Sequence, residues 1–463
     1  MKKPYCFKMA EEFDICIVGA GIAGASLACY LGKHGKRVAV IEKSMVERDV
    51  IIGELLQPGG VDVLQEMGLE ECLNGFDAQP VEGYALFMQG EHFTIRYPNH
   101  KAGRGFRNGK FLQALRKEML AQPTVTVIEG TVESLTEIDG IINGVKYKTK
   151  TSDSSQTISA KLTVVSDGMF SLFREQLSAN EKKVTSYFMG LLLKSCELPY
   201  KNYGHVVVAE PSPCLMYPIN ATETRMLIDF PWSEAPRKSP ELIAYLENTI
   251  APQLPSSMLP SFWEAVNEGK FKVMPNHHIP AKPVYKPGAV LLGDSLNMRH
   301  PLTGGGMTVA LTDAKNLGAR LIAIQNFADT KQVGELVKQF YATRHNQTAT
   351  INILADALYG VMRNEDLKRA CYDYLKRGGH YAHEPISILS AVSRDVNLLL
   401  SHFFSVAGYG IKNLIRTKSI TVGLLRSRAM LRDAVNIVAP LVLNEKPSWK
   451  WKYPIKAGQI VFR

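Results

Sequence analysis

Asp294 and the three consecutive glycines Gly304, Gly305 and Gly306 are the residues of this chain best suited to hold a reactive group. They stand in the string GDSLNMRHPLTGGGMTVAL, which begins at Gly293, ends at Leu311 and follows the apolar run Gly288-Ala289-Val290-Leu291-Leu292. That run predicts a short buried strand whose C-terminal end carries Asp294. Ligands bind at that end of a doubly wound sheet, so the carboxylate can accept a hydrogen bond from a ribose or ribityl hydroxyl. The glycines open a helix predicted from Met307 to Leu317. Lacking side chains, they let the N–H groups at its positive end approach a ligand closely. A reduced flavin carries its negative charge along one ring edge, and such a cradle would stabilise it. A loop that merely turns the chain is the competing reading.

A second constellation weighs against that plain turn. Phe13 to Val18 reads as an apolar strand leading into Gly19-Ala20-Gly21-Ile22-Ala23-Gly24 and a helical run from Ala25 to Leu31. In this dinucleotide fingerprint Gly19 makes the tight turn, Gly21 admits the pyrophosphate and Gly24 lets helix and strand pack closely. Val38 to Ile41 forms the next strand, ending at Glu42. An acid there binds a ribose diol and repels a 2′-phosphate, which favours FAD or NAD over NADP. A third segment, Val164-Val165-Ser166-Asp167-Gly168-Met169-Phe170-Ser171-Leu172-Phe173-Arg174, is another strand ending in Asp-Gly, with Ser171 and Arg174 one helical turn apart.

GxGxxG, DGxxSxxR and GD before a glycine-rich helix, in that order, resemble the FAD-dependent monooxygenases over about the first 320 residues. Gly53-Glu54-Leu55-Leu56-Gln57-Pro58-Gly59-Gly60 and Asn297-Met298-Arg299-His300-Pro301-Leu302-Thr303-Gly304-Gly305-Gly306-Met307-Thr308 narrow the resemblance to squalene monooxygenases. Gly83-Tyr84, Ala114-Leu115-Arg116-Lys117, Ile353-Leu354-Ala355 and His402-Phe403-Phe404 extend it over nearly the whole chain.

The resemblance implies Ile22 and Ala23 at the pyrophosphate turn, Glu42 with Lys43 at the adenosine ribose, and Leu55 beside the flavin. Arg116, Val132, Asp294 and Met307 complete the implied FAD shell, with Asp167 of the Asp167-Gly168 pair. Tyr84 and Gln57 are implied to be hydrogen-bonded near flavin and substrate, as positioning residues and not nucleophiles. One departure stands out: three positions before the Gly of GELLQPGG, where a basic residue is common, this chain has Val50, with Arg48 nearby.

The implied reaction is epoxidation of a terminal alkene of squalene, or of a similar polyene, to 2,3-oxidosqualene in sterol or triterpenoid biosynthesis. Its oxygen donor would be a C4a-hydroperoxyflavin, and the protein would supply shape and dryness. The chain shows no metal-ligand spacing, nucleophile elbow or triad to compete with that chemistry. Its single dinucleotide fingerprint implies that NADPH reduces the flavin through a separate flavoprotein reductase. A flavin-dependent isoprenoid reductase and a catalytically silent FAD-containing membrane protein are the rivals.

Alternating segments at Tyr84 to Met88, Phe188 to Leu193, Val206 to Val208 and Met226 to Phe230 predict strands of a second sheet that would wall a substrate cavity. His277-His278 and the stretch Pro275 to Pro287 read as a loop, and Ser152 to Ser155 as a hairpin tip. Residues 386–463 hold 12 Lys and Arg against 3 Asp and Glu, nearly all of the chain's net charge of +10. The apolar run Val396 to Ile411 is shorter than the ~20 residues of a spanning helix. With Ile420 to Leu443 and its arginines it predicts helices lying on an anionic membrane, unless they form a buried helical cap. No motif accompanies this charge that would suit nucleic acid.

The start Met1-Lys2-Lys3-Pro4 has no apolar signal region, and seven scattered cysteines without CxxC suggest reduced thiols facing the cytosol. The implied location is the endoplasmic reticulum membrane in a eukaryote or the cytoplasmic membrane in a bacterium. The expected fold class is α/β: a Rossmann-type FAD-binding domain (10–80, 103–175 and 285–325), an inserted substrate-binding β-sheet domain (81–102 and 176–284) and C-terminal membrane-associated helices (326–463).

Overall fold

The computed structural model describes residues 13–152, 154–417 and 420–445. The Met1-Lys2-Lys3-Pro4 start and the basic residues after Glu445 lie outside them. Strand Phe13–Val18 occupies the middle of a parallel sheet, between Val38–Glu42 and Gln156–Val165. The sheet continues through Val125–Ile138 on one side and Ala289–Leu291 on the other, every pair parallel. Strands covered on both faces need unbroken apolar sequence, and Ile15, Cys16, Ile17, Val38, Ala39 and Val40 are accordingly all buried. Helices Ile22–Lys33, Asn108–Leu120 and Gly306–Ile322 pack around this sheet and one another. The predicted strand before Asp294 is therefore Ala289–Leu291, and the helix after the glycines is longer than expected. Ile141–Thr149 pairs antiparallel with extensions of its two neighbours, and of the hairpin tip expected at Ser152 to Ser155, Asp153 lies outside the described residues.

Seven strands form a second sheet in the order Lys272–His278, Lys183–Lys194, Glu223–Phe230, Cys214–Pro218, Gly204–Val207, Gly83–Met88, Glu91–Arg96. All neighbours are antiparallel except Gly204–Val207 beside Gly83–Met88. Side chains alternate between its faces. Met189, Leu191, Met226, Ile228 and Phe230 pack on helices Pro240–Tyr245 and Leu259–Glu268. Phe188, Tyr84, Leu86, Leu215 and Leu227 turn the other way, toward the C-terminal helices. One expectation is corrected here: His277, His278 and Pro275 lie on a strand, not in a loop. That strand is the sheet's edge, where a proline's missing N–H removes no ladder bond if it points outward.

Beyond Thr330 the described chain is helical: Thr330–Thr343, His345–Met362, Glu365–Lys376, His380–Leu389, Val396–Thr417 and Ile420–Glu445. Leu399, Val406, Ala407 and Leu414 turn inward onto these helices, so much of the stripe from Val396 to Ile411 is core. Among the described residues no helix is long and apolar enough to cross a membrane. The six described cysteines are unpaired.

Candidate functional site

The glycines of the fingerprint divide by what surrounds them. Gly19 leaves its strand at φ +95°, and a Cβ there would sit 2.7 Å from the Ser166 carbonyl oxygen. A Cβ on Gly24 would sit 2.0 Å from the Gly19 oxygen, so both positions are required by the fold itself. A Cβ on Gly21 would meet no atom within 4 Å. Open space above a bare turn at the start of helix Ile22–Lys33 is what a pyrophosphate requires.

Glu42 ends its strand buried, accepting the Ala20 N–H at 2.7 Å and the Ser44 N–H at 3.1 Å. Arg48 Nη2 donates at 2.7 Å to Oε1, the oxygen that the Ser44 N–H also reaches, while the Ala20 N–H takes Oε2. The out-of-register Arg48 therefore reaches the cleft, whose wall also includes Val50. Arg116 donates Nε to the Ala20 oxygen at 3.0 Å and brings Nη2 to 3.4 Å from Glu42, while Nη1 has no hydrogen-bond partner among the described residues. Lys43 is exposed beside Glu42, and Val132 is buried in the core of the first sheet.

A cleft of about 470 Å³ brings together Gly21, Ile22, Ala23, Leu55, Tyr84, Asp167, Asp294, Gly304, Gly306 and Met307. Gly19, Gly24, Glu42, Lys43, Arg116, Val132, Gln57 and Gly305 stand off its wall; Gly305 faces Ile351 instead. Asp294 opens onto the cleft, yet desolvation by its walls raises its carboxyl above the usual range, against Arg299 and Arg174. Asp167 is raised likewise by burial, opposed by its hydrogen bonds to Ser171 and the Leu172 N–H. Arg174 staples the Asp167-Gly168 and Gly293-Asp294 loops together, donating Nε to Ser295 O at 2.9 Å and Nη2 to the carbonyls of Gly168, Met169 and Asp294 at 3.0 Å.

Beside the glycine cradle lies a buried polar cluster. Gln57 caps helix Pro58–Glu66 by backbone alone, which leaves its side chain free. Its Nε2 donates to Tyr84 Oη and to the Thr303 carbonyl, both at 2.7 Å, and its Oε1 accepts from Tyr97 Oη at 2.6 Å. Tyr97 has no sequence signal beyond a Tyr-Pro after a strand, and it escapes a reading by motif. Glu54, from the same GELLQPGG string, pairs with Arg225 of strand Glu223–Phe230 at 2.6 Å, both side chains buried. Burial raises the Glu54 carboxyl, and Arg225 works against that rise.

Between the second sheet and the C-terminal helices is an almost wholly apolar cavity of about 150 Å³. Leu86, Val206, Leu358, Met362, Leu375 and Phe403 line it, and Tyr84, Leu215 and Leu302 line both this cavity and the cleft. Its Cys371 thiol is pushed up to about 12 by burial and stays protonated, so it is no nucleophile. Tyr374 and His402 meet on its wall, and His402 bonds outward to Glu384 at 2.6 Å. The cleft beside the glycine turns thus adjoins an almost wholly apolar cavity.

The family model for squalene epoxidase matches residues 159–427, and one for FAD dependent oxidoreductases matches residues 14–48. "Squalene epoxidase 3" of Arabidopsis thaliana is 43% identical, over 95% of this chain and 86% of its own length. "Squalene monooxygenase" of Mus musculus is 38% identical, over 93% of this chain and 78% of its own. The squalene epoxidase of Schizosaccharomyces pombe is 35% identical, over 95% and 99%. Among solved structures, p-nitrophenol 4-monooxygenase PnpA of Pseudomonas putida superposes with a TM-score of 0.67 at 17% identity, over 83% of this chain and all of its own. The flavin-dependent brominase Bmp2 gives 0.67 at 15% identity, over 87% and 100%. These two show a shared fold.

Proposed function

Because this chain belongs to the squalene epoxidase family, we infer that its apolar cavity receives one end of squalene, that its cleft holds FAD, and that the protein is a monooxygenase making 2,3-oxidosqualene. The observation that carries this reading is the shared wall of Tyr84, Leu215 and Leu302, across which a hydrocarbon in the cavity would adjoin a cofactor in the cleft. Bound FAD, once reduced, supplies activated dioxygen. The residues supply position and dryness. Gly21, Ile22 and Ala23 suit the pyrophosphate, Asp294 a ribityl hydroxyl, and Gly304 to Met307 the anionic ring edge. Leu215, Leu302 and Leu358 exclude the water that would divert oxygen to hydrogen peroxide. Tyr84, held by Gln57, is the polar group at the junction.

The test is turnover of FAD-loaded protein with squalene, NADPH, a flavoprotein reductase and oxygen-18 gas. We expect one labelled oxygen in the lipid and dependence on the reductase. Saturated lipid formed without oxygen would establish the reductase rival, and NADPH oxidation by the purified protein alone would overturn the separate donor.

We also propose that the ends of the last two helices rest on an anionic membrane, facing the cytosol, in eukaryotes that of the endoplasmic reticulum. Ile415, Val422, Leu424, Leu425 and Leu431 are exposed there among Lys412, Arg416, Arg428 and Arg432, the mixture an interfacial helix carries. Co-sedimentation with phosphatidylserine vesicles should fall steeply in the Leu424→Glu, Leu425→Glu double variant. Unchanged sedimentation would reject the surface.

A further inference from the structure

We propose that Tyr97 is a positioning residue for the oxygen transfer, acting through Gln57 to set the direction in which the Tyr84 hydroxyl presents its hydrogen. This rests on the epoxidase reading above. A glutamine side chain offers two N–H donors on one side and one acceptor oxygen on the other. Here the two donors go to the Thr303 carbonyl and to Tyr84 Oη, and the acceptor is taken by the Tyr97 hydroxyl at 2.6 Å. With all three of Gln57, Tyr84 and Tyr97 buried, the amide has no water to turn toward.

The consequence lies at Tyr84. Its oxygen accepts from Gln57, so its own hydrogen is not spent on that amide. Tyr84 walls both the cofactor cleft and the apolar cavity. A hydrogen kept off Gln57 at this position can donate to an oxygen atom held at the junction while that atom passes to the alkene. Tyr97 itself lines neither space. Its ring stands edge-on to Tyr84 with centroids 5.8 Å apart and the two hydroxyls also interact directly, while its donation to Oε1 keeps that oxygen from competing for the Tyr84 hydrogen. Without that hydroxyl, Oε1 is a buried acceptor lacking a donor, and turning it toward the Tyr84 O–H would satisfy it at the cost of the Nε2 bond to the Thr303 carbonyl.

The experiment compares FAD-loaded wild type, Tyr97→Phe, Tyr84→Phe and the double variant, with squalene, NADPH and a reductase. It measures oxidosqualene, hydrogen peroxide and, by flavin fluorescence, the FAD dissociation constant. In uncoupled turnover the two electrons from NADPH, with two protons, reduce dioxygen to hydrogen peroxide and no carbon is oxidised. We expect Tyr97→Phe to bind FAD within about threefold of wild type while its peroxide-to-epoxide ratio rises roughly tenfold. Adding Tyr97→Phe to Tyr84→Phe should change the ratio no further, because the one acts through the other. A Tyr97→Phe ratio equal to wild type, a loss that merely follows lost FAD, or additive losses in the double variant would each overturn the assignment. Wild type that makes no epoxide would instead overturn the epoxidase reading beneath it.

Discussion

Glu54→Ala should lower the unfolding free energy by about 3–5 kcal/mol, because it strands a buried guanidinium. Arg225 donates Nε and Nη2 to the two Glu54 oxygens at 2.6 and 3.3 Å, and among the described residues its one other side-chain bond is from Nη1 to the Leu191 carbonyl at 3.3 Å. Neither side chain has water to fall back on. The pair ties the GELLQPGG segment to the substrate sheet, so the loss should also loosen Leu55 and Gln57 and release flavin early in the transition. Urea unfolding followed by tryptophan and flavin fluorescence together would show both. The double variant Glu54→Leu, Arg225→Met should recover most of the loss, since removing both charges leaves nothing uncompensated. A single variant as stable as the parent would mean that the pair contributes little and that the loop is held elsewhere.

The second large effect is at the fingerprint, where Gly24→Val should yield protein that cannot retain FAD. The added Cβ would stand 2.0 Å from the Gly19 oxygen and 2.6 Å from Ser166 Oγ, and no rotamer relieves a backbone collision. Helix Ile22–Lys33 must then move off strand Phe13–Val18, carrying the pyrophosphate turn with it. We expect FAD affinity to drop on the order of a hundredfold, with a lower melting temperature of the apoprotein. Gly21→Ala is the informative companion. Nothing lies within 4 Å of the new methyl, so the apoprotein's stability should change by less than about 0.5 kcal/mol, while FAD binding weakens about tenfold or more. Flavin fluorescence titration beside an apoprotein melt separates the two outcomes. Native FAD affinity in Gly24→Val would refute the packing argument, and native affinity in Gly21→Ala would show that the open space is not where the cofactor lies.

What could be read from the chain was whatever is decided locally. Phe13 to Val18 and the run before Asp294 are legible because a strand buried on both faces needs continuous apolar sequence. Gly19 and Gly24 are legible because steric demands at a tight turn admit one residue type. Strand Lys272–His278 is missed because an edge tolerates the proline and histidines that signal a loop. Tyr97 is missed because its role comes from Gln57, forty residues earlier, meeting it across the fold. The inward turn of Leu399, Val406 and Leu414 is ambiguous in principle: an apolar stripe of helical period has one appearance whether it faces a core or a lipid surface. Arg48 shows how a register argument fails, since a loop can deliver the same charge to the cleft from two positions away.

The first sheet also has a history in time. Its strand Gln156–Val165 waits for Ala289–Leu291, and the whole seven-strand sheet but for Gly83–Met88 and Glu91–Arg96 is encoded between them. A chain leaving the ribosome at ~5–20 residues per second therefore spends many seconds with that partner unsynthesised and one apolar edge uncovered. The glycine cradle emerges later still, so flavin cannot be gripped at both ends until about two thirds of the protein exists. Nascent chains should need a holding chaperone over that interval, and FAD supply should govern yield at the last stage of folding and not the first.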